Sequence, residues 1–189
     1  YIEGAQFVDP DIKVDAQYVG GTSGWSDPAT GKELSNVMIN QYKCDVIFNV
    51  AGGSGVGMAE ACSELGAWFI GVDSDQEKEF STAQPDLAKI TITSGLKLVG
   101  DSLVAMIKDI VDNGAAPYGK TTALGLGTDP AGVGVVTEGN YATYFADPAV
   151  TEIVEKAKAG IADGSIKVSS AFDASVDVAA IRDAVSARK

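Results

Sequence analysis

The run Asp45-Val-Ile-Phe-Asn-Val-Ala-Gly-Gly-Ser-Gly-Val-Gly57 decides the fold class of this chain. Its first six residues form a short apolar stretch, which is typical of a strand buried in a parallel sheet. The glycine-rich part, Ala51–Gly55, indicates a tight turn, and the residues after it carry an apolar stripe at helical spacing up to a stop at Gly66. Trp68–Asp73 then indicates a second strand. The run therefore predicts a strand–turn–helix–strand unit.

Strands and helices alternate on both sides of this unit. Further strands are predicted at Lys13–Val19, Lys89–Thr93 and Thr121–Leu126. Further helices are predicted from Asp27-Pro28 to about Tyr42, from Leu96 to Asn113, from Asp147-Pro148 to Gly164, and around Val178, Ile181 and Val185. Such alternation with short connections predicts an α/β fold, in which helices flank a mainly parallel sheet.

Composition and charge limit the kinds of partner and site. The chain has 189 residues, 46% of them hydrophobic and 21% charged, as in a globular protein with a sizeable core. Its formal net charge of −12 repels a phosphate backbone, so nucleic-acid polymers are not expected partners. The chain has no His, which leaves it without the usual zinc sites or a Ser-His-Asp triad. No cofactor, metal site or catalytic residue is predicted, and Cys44 and Cys62 are expected to be small buried hydrophobes.

Three loops follow the predicted strands, and ligands of open parallel sheets bind at the carboxyl ends of strands. These loops are Gly20–Asp27, Ala51–Gly55 and Asp73–Gln76. The last two follow consecutive strands of one unit, so we expect them at the same edge of the sheet. A binding site is therefore predicted at that edge.

From the residues alone, the glycine loop has three interpretations. Gly53, Ser54 and Gly55 let the backbone approach a ligand, and the following helix offers free N–H groups. A dinucleotide fingerprint needs Gly at its first, third and sixth positions, but counting from Gly53 puts Met58 at the sixth. Asp73 does lie where a ribose-binding acid would follow such a fingerprint. A tight turn that binds no ligand is the third interpretation.

Asp73, Trp25 and Lys97 are the side chains with the clearest binding chemistry. A carboxylate such as Asp73 at a strand mouth can accept hydrogen bonds from a vicinal diol, although with Asp75 it also permits a metal site, acid–base chemistry or a solvated turn. Trp25 can stack on a flat ligand or pack over its own loop. Lys97 is predicted to open a helix, where its charge opposes the dipole, so either a ligand or carboxylate partner explains it or it is a freely solvated lysine.

Two of these stretches resemble a known family. The run Asp45–Gly57, followed by Ile70-Gly-Val-Asp-Ser-Asp-Gln76, resembles the basic membrane protein family, which includes purine nucleoside receptor lipoproteins of ABC transporters. Asp9–Val14, Gly31–Glu33 and Thr93–Lys97 follow the same pattern in order. The resemblance covers about Tyr1 to Lys167 and fades after Val168.

The resemblance implies a type I periplasmic-binding fold, in which two α/β lobes joined by a hinge close on the ligand. Residues 1–90 would form the second lobe, 91–120 a crossover helix of the first lobe, 121–168 a return strand and helix, and 169–189 a C-terminal extension. Most of the first lobe would then lie outside this chain. The apolar stripe of the crossover helix, Leu103, Ile107 and Ile110, is accordingly expected to lack its native sheet.

The resemblance also implies a function without catalysis. The protein would be the extracytoplasmic solute-binding component of an ABC transporter, with a permease as partner and a lipid anchor outside this chain. Asp73 would hold the ribose hydroxyls of a purine nucleoside, Lys97 would assist, and the Gly53–Gly55 backbone would line the base pocket. Trp25 stands where the family often has an aromatic residue. Riboflavin or a sugar is the alternative ligand, and a nucleotide-dependent oxidoreductase or the sensory lobe of a regulator is the alternative class.

Overall fold

A four-stranded sheet forms the centre of the structure, a computed structural model that describes residues 1–114 and 121–186. The strands are β1 (Val46–Phe48), β2 (Trp68–Asp73), β3 (Thr91–Lys97) and β4 (Val133–Val135), in that order across the sheet. β1, β2 and β3 are parallel neighbours, whereas β4 pairs with β3 in antiparallel direction. The predicted α/β fold with a mainly parallel sheet is confirmed.

Eight α-helices surround or extend from this sheet within the described residues. They are α1 (Ile2–Val8), α2 (Pro28–Asn40), α3 (Gly55–Leu65), α4 (Gln76–Ala83), α5 (Pro85–Ile90), α6 (Val99–Asn113), α7 (Pro148–Asp163) and α8 (Val178–Val185). A short 3-10 turn, Gly52–Ser54, leads into α3, and a π-helical turn occupies Tyr141–Phe145. None of the helices in the described ranges is both long and apolar enough to cross a membrane.

The helix ends follow the signals in the sequence. Asp27 caps α2, because its Oδ1 accepts a hydrogen bond from the Thr30 backbone N–H at 3.0 Å, and Pro28 occupies the first helical position. Gly66 ends α3 in the left-handed conformation with φ +74°, which glycine adopts without steric cost. Asp147 caps α7 in the same way as Asp27 caps α2.

The hydrophobic core lies on the face of the sheet that α3 covers. Its buried members come from β1, α3, β2, α4, α5 and the turn between α3 and β2: Ile47, Met58, Ala59, Cys62, Ala67, Phe69, Phe80 and Leu87. Helix α2 packs against α3 from outside, and two glycines allow this close crossing. A Cβ atom at Gly31 would lie 2.5 Å from the Ser54 carbonyl oxygen, and one at Gly57 would overlap the Pro28 carbonyl. The predicted strand–turn–helix–strand unit therefore supplies most of the core.

Two predicted strands are wrong. Lys13–Val19 pairs with no strand, and the Val14 N–H donates instead to the Val185 carbonyl at the end of α8. Thr121–Leu126 also forms no strand, because the chain turns at Gly125, whose carbonyl accepts the Gly132 N–H at 3.1 Å. The alternating pattern predicted an extended backbone in both segments, but it could not supply a neighbour for the ladder. β4 forms after this turn, in a stretch for which no strand was predicted.

The third strand and the following helix are shifted along the chain from their predicted positions. β3 covers Thr91–Lys97 rather than Lys89–Thr93, since the residues before Thr91 belong to α5. Helix α6 begins at Val99 rather than Leu96, because Leu96 and Lys97 still pair with β4. The division into two lobes stays a prediction, and within it residues 115–120 and 187–189 lie outside the described ranges.

Helix α6 has a different environment from α2 and α3. None of its 15 residues is buried, although its sequence is strongly amphipathic. Its large apolar side chains are instead exposed: Val99, Leu103, Val104, Met106, Ile107, Ile110 and Val111. Within the described ranges, the apolar face of this helix therefore has little cover.

Candidate functional site

The two loops that follow β1 and β2 lie at one edge of the sheet. β1 and β2 are parallel and adjacent, with Phe48 opposite Ile70, so both carboxyl ends point the same way. The glycine loop, Ala51–Gly55, leaves the first strand and the acidic loop, Asp73–Gln76, leaves the second. The expected juxtaposition of the two loops is present.

Asp73 and Lys97 meet at this edge. Asp73 ends β2 and lies opposite Leu96 in β3, so Lys97 is the next residue along the neighbouring strand. The Lys97 Nζ lies 2.7 Å from the Asp73 Oδ1, and the Asp73 and Lys97 side chains are 50% and 61% exposed. Lys97 therefore ends a strand, and its predicted position at a helix N-terminus is wrong. A carboxylate partner accounts for its charge.

The backbone at Asp73 is unusual. Its φ is +68°, in the left-handed region that non-glycine residues seldom adopt, although Asp and Asn adopt it more readily than most. The turn is tight, since the Ser74 N–H donates to the Val72 carbonyl at 2.8 Å. This conformation directs the chain sharply out of β2 and into α4.

Asn49 shapes the glycine loop from inside. Its Oδ1 accepts the Ala51 N–H at 2.8 Å, and its Nδ2 donates to the Gly52 carbonyl at 3.1 Å. The side chain is fully buried. A Cβ atom at Gly55 would collide with the Asn49 amide. Glycine at position 55 is therefore required by the packing beneath the loop, whatever lies above it.

Ser54 joins the glycine loop to the loop Gly20–Asp27. Its hydroxyl donates to the Gly24 carbonyl at 2.7 Å and accepts the Asp27 N–H at 2.8 Å. The residue is fully buried, so its side chain serves this loop-to-loop contact. A role for Ser54 in ligand binding stays a prediction, and the structure places its hydroxyl beneath the edge of the sheet.

Trp25 stands beside the glycine loop. A Cβ atom at Gly53 would lie 3.2 Å from the Trp25 carbonyl, and one at Gly52 would lie 3.5 Å from the indole Cε3. Trp25 is nevertheless 67% exposed to solvent. The loop Gly20–Asp27 thus lies against the glycine loop, and its accessible aromatic ring borders the edge.

Gln76 and Ser94 were not singled out in the sequence, and they complete a buried polar network. The Gln76 Oε1 accepts the Val72 N–H at 3.0 Å and an Asn49 Nδ2 hydrogen at 3.3 Å. The Gln76 backbone N–H donates to the Ser94 Oγ at 3.1 Å. Asn49 in an otherwise apolar strand was the one sequence signal for this network, because a buried amide needs hydrogen-bond partners.

The edge carries one ion pair and, in the same acidic loop, the carboxylate of Asp75. Asp73 and Lys97 balance each other at the mouth, while the chain as a whole carries −12. Hydrogen bonds from the Thr30 backbone and hydroxyl lower the pKa of the Asp27 carboxyl behind Trp25, which keeps that cap ionised. Among residues 1–114 and 121–186, no group of three or more His, Cys, Asp or Glu side chains is arranged to hold a metal ion. The arrangement can accept and donate hydrogen bonds beside a flat surface.

Comparison with protein families gives a match over most of the chain. The model of the Bmp family, described as "ABC transporter substrate-binding protein PnrA-like", matches residues 1–168. The "ABC transporter nucleoside-binding protein BmpA" of Lactococcus lactis subsp. cremoris is 33% identical over 186 residues, which cover 90% of this chain and 48% of that protein. "Basic membrane protein D" of Borreliella burgdorferi is 35% identical over 151 residues, covering 78% of this chain and 40% of that protein.

Solved structures of solute-binding proteins share the fold. One from an ABC transporter system of Aeropyrum pernix K1 has a TM-score of 0.65 and 27% identity, covering 93% of this chain and 54% of that one. One from Conexibacter woesei has a TM-score of 0.63 with 14% identity, a likeness of fold alone. The chain spans about half the length of the relatives it matches.

These matches confirm the resemblance that the glycine loop and the acidic loop indicated. The family model reaches the point where the resemblance was expected to fade, near Val168. The family model, the Lactococcus relative and the solved structures are all described by their names as binding proteins of ABC transporters. This chain belongs to the Bmp family of PnrA-like ABC transporter substrate-binding proteins.

Proposed function

We propose that the edge formed by the glycine loop and Asp73 is one wall of a nucleoside-binding cleft. The observation that carries the proposal is the Asp73–Lys97 pair at 2.7 Å, at the edge that Trp25 also borders. The name of the Lactococcus relative, a nucleoside-binding protein, supports the choice of ligand class. Transport of a nucleoside through an ABC permease is the biological role that follows.

Asp73 is the residue that recognises the sugar. Its two carboxylate oxygens can accept hydrogen bonds from two adjacent hydroxyls, the pattern that a ribose offers. Lys97 contacts Oδ1 and so fixes the orientation of the carboxylate. The pair is electrically neutral, so it favours an uncharged nucleoside over a nucleotide, whose phosphate the net charge of −12 would also repel.

Trp25 and the glycine loop provide the surface for the base. The indole is exposed beside Gly52 and Gly53, so a flat ring can stack against it. Gly53 contributes backbone to this surface. Ser54 and Gly55 support it from beneath, because the first ties the loop to Gly24 and the second leaves room for Asn49.

The second wall of the cleft comes from the other lobe. Small-molecule sites bury about 70–90% of the ligand surface, which one open edge cannot do. The chain spans about half the length of its relatives, and the apolar face of α6 is exposed. We place the missing wall in the part of the protein that covers α6, with residues 1–90 as the second lobe. A lipid anchor outside this chain would hold the protein at the outer face of the membrane.

The test is calorimetric titration of the full-length protein with inosine and 2′,3′-dideoxyinosine. Asp73→Ala removes a charged hydrogen-bond acceptor, which costs about 1.5–3 kcal/mol, or roughly a ten- to hundredfold loss of inosine affinity. Dideoxyinosine lacks the two hydroxyls, so its affinity should change little between the wild type and Asp73→Ala. Asp86→Ala is the matched control. Asp86 forms a comparable exposed ion pair, with 2.7 Å between its Oδ1 and the Lys89 Nζ, and this pair is not at the edge that carries the proposed site.

Two results would contradict the proposal. Unchanged inosine affinity in Asp73→Ala would remove Asp73 from the site. Tighter binding of riboflavin or free ribose than of inosine, measured in the same way, would assign the edge to the alternative ligands.

A further inference from the structure

A buried polar network lies directly beneath the proposed site and joins β3 to the residues that follow β1 and β2. Asn49 follows β1, Gln76 follows β2, and Ser94 lies within β3. Asn49 and Ser94 are fully buried and Gln76 is 9% exposed. Buried polar groups are costly unless satisfied, and here every one has a partner within the network or the adjacent backbone. Three apolar side chains would leave the backbone N–H groups of Ala51, Val72 and Gln76 without these acceptors, so the network is tied to the shape of both loops.

Gln76 closes the turn that contains Asp73. Its side chain reaches back four residues to accept the Val72 N–H at 3.0 Å, while its own N–H is held by the Ser94 Oγ at 3.1 Å. We call these two hydrogen bonds the Gln76 clamp. The turn that they close contains Asp73, with its φ of +68°. This conformation has a steric cost even for Asp, which the surrounding hydrogen bonds can offset.

Asn49 closes the glycine loop as Gln76 closes the turn at Asp73, and one hydrogen bond joins the Asn49 and Gln76 side chains. The Asn49 Nδ2 donates to the Gly52 carbonyl at 3.1 Å and to the Gln76 Oε1 at 3.3 Å. Two glycines leave room for this arrangement. A Cβ atom at Gly55 would collide with the Asn49 amide, and one at Gly71 would collide with the Ser94 Oγ and lie 2.9 Å from the Gln76 Cβ.

We infer that Gln76 is a positioning residue: through its bonds to Val72 and Asn49 it holds the Asp73 carboxylate at a fixed place relative to the glycine loop. The inference rests on the proposed nucleoside site and deepens it. Asp73 contacts the sugar and the glycine loop contacts the base, so the Asn49–Gln76 contact sets the distance between the two parts of the ligand that the wall recognises. It selects ligands in which a flat ring is attached directly to a ribose.

The first experiment needs no ligand and tests the clamp itself. Urea unfolding midpoints are measured for the wild type, Asp73→Gly, Gln76→Met and the double variant. Gly relieves the positive φ, so Asp73→Gly raises the midpoint where the clamp is intact. Gln76→Met removes the acceptor of the Val72 N–H, the turn relaxes, and Asp73→Gly then gives no rise. The loss of chain entropy at residue 73 occurs in both backgrounds and cancels in the comparison, and the loss of the exposed Lys97 contact is small in either.

The result that overturns the inference is an equal midpoint change from Asp73→Gly in both backgrounds. If Gln76→Met does not fold, Ser94→Ala replaces it, because it removes the acceptor of the Gln76 N–H at the other end of the clamp. The inference then requires Asp73→Gly to raise the midpoint less in the Ser94→Ala background than in the wild type. An equal rise in both counts against it.

The second experiment measures the preference for inosine over 2′,3′-dideoxyinosine in the full-length protein. The wild type is expected to prefer inosine at least about tenfold. Gln76→Met should lose most of that preference while keeping its affinity for dideoxyinosine, since only the sugar acid is displaced. Thr91→Val is the control: Thr91 is fully buried and its hydroxyl donates to the Leu87 carbonyl at 2.8 Å, but at the opposite end of β3. It should lower stability and leave the preference intact.

The two arms separate the inference from the function on which it rests. If the wild type binds no nucleoside, the proposed function fails, and the unfolding midpoints still decide whether Gln76 clamps Asp73. If inosine binds and Gln76→Met keeps the full preference, the function stands and the positioning role is excluded.

Discussion

Helices α3 and α6 are both amphipathic in sequence, but they have opposite environments. Six of the 11 residues of α3 are buried, against β1, β2 and α2. None of the 15 residues of α6 is buried, and its apolar face includes Leu103, Ile107 and Ile110. Helical periodicity predicts that a face is to be buried and does not name what covers it. The contrast separates a region that carries its own core from a helix whose apolar face has little cover within residues 1–114 and 121–186.

The two regions should differ most in how much stability is lost when a large apolar side chain is truncated to Ala. Phe69→Ala removes a ring that is 0% exposed, and it should lower the free energy of unfolding by about 3–5 kcal/mol. Ile107 is 60% exposed, so Ile107→Ala should cost less than about 1 kcal/mol. Urea unfolding of the 189-residue chain measures both. Equal losses would mean that α6 has its own buried packing and would end the contrast.

The Cys62 thiol offers a second, smaller measure of the same difference. Burial raises its pKa to about 12, so the folded protein keeps it protonated while the unfolded chain ionises above about pH 8.5. The unfolded state then binds fewer protons, and stability falls as pH rises from about 9 towards 12, by at most about 1.4 kcal/mol per pH unit. Cys62→Ala should lack this component of the slope in urea unfolding at pH 7, 9 and 10.

A thiol placed on α6 supplies the matched control for Cys62. Ile107→Cys puts the thiol on an exposed surface, where iodoacetamide should modify it at the rate of an ordinary cysteine. Cys62 should stay unmodified in the native protein, as judged by mass spectrometry of the peptides. Rapid labelling of Cys62 would show that the α3 face opens.

The helix caps give an effect of about 1 kcal/mol. Asp27 and Asp147 each cap a helix whose first residue is proline, through bonds of 3.0 Å to the Thr30 N–H and 2.7 Å to the Ala149 N–H. Asp27→Ala should cost about 1 kcal/mol of global stability, because α2 packs on α3. Asp147→Ala should cost less than half as much in urea unfolding, since only Gly160 of α7 is buried. A larger loss for Asp147→Ala would place α7 in the cooperative core.

The smallest expected effect concerns the exposed face of α6. Ile107→Glu should change the stability of the 189-residue chain by less than about 0.5 kcal/mol and should reduce self-association in light scattering. In a longer protein that covers α6, the same charge would be buried and strongly destabilising. Similar small effects in both proteins would refute the proposed cover by the other lobe.

The part of the fold that depends on local sequence could be predicted, and the part that depends on distant partners could not. The unit from β1 to β2 follows from an apolar strand, a glycine turn and a helical stripe. The segment Lys13–Val19 has an equally good strand pattern, yet Val14 bonds to Val185, near the other end of the chain. The sequence analysis missed α4 and α5, the two helices that connect β2 to β3, because each is short. Asp75 and Pro85 nevertheless give the usual signals for a helix start.

The candidate site divides in the same way. Asp73 and the glycine loop were expected at one edge because parallel neighbours end together, and they do. The pairing of Lys97 with Asp73 depends on the register of β3, which the sequence placed several residues too early. The amide contact of Asn49 with Gln76 joins residues 27 positions apart, and no local pattern predicts it.

The left-handed backbone at Asp73 also limits how the protein can change in evolution. Few residues tolerate a φ of +68°, chiefly Gly, Asn and Asp. Glu is chemically similar to Asp, but its longer side chain pays the steric cost without the local hydrogen bonds that help Asp and Asn. The easily reached neighbours are therefore Asn, which removes the charge and leaves Lys97 unbalanced, and Gly, which removes the recognition group. If the ligand of this wall changed in evolution, the charge at position 73 would change while the turn, and with it the shape of the cleft, stayed the same.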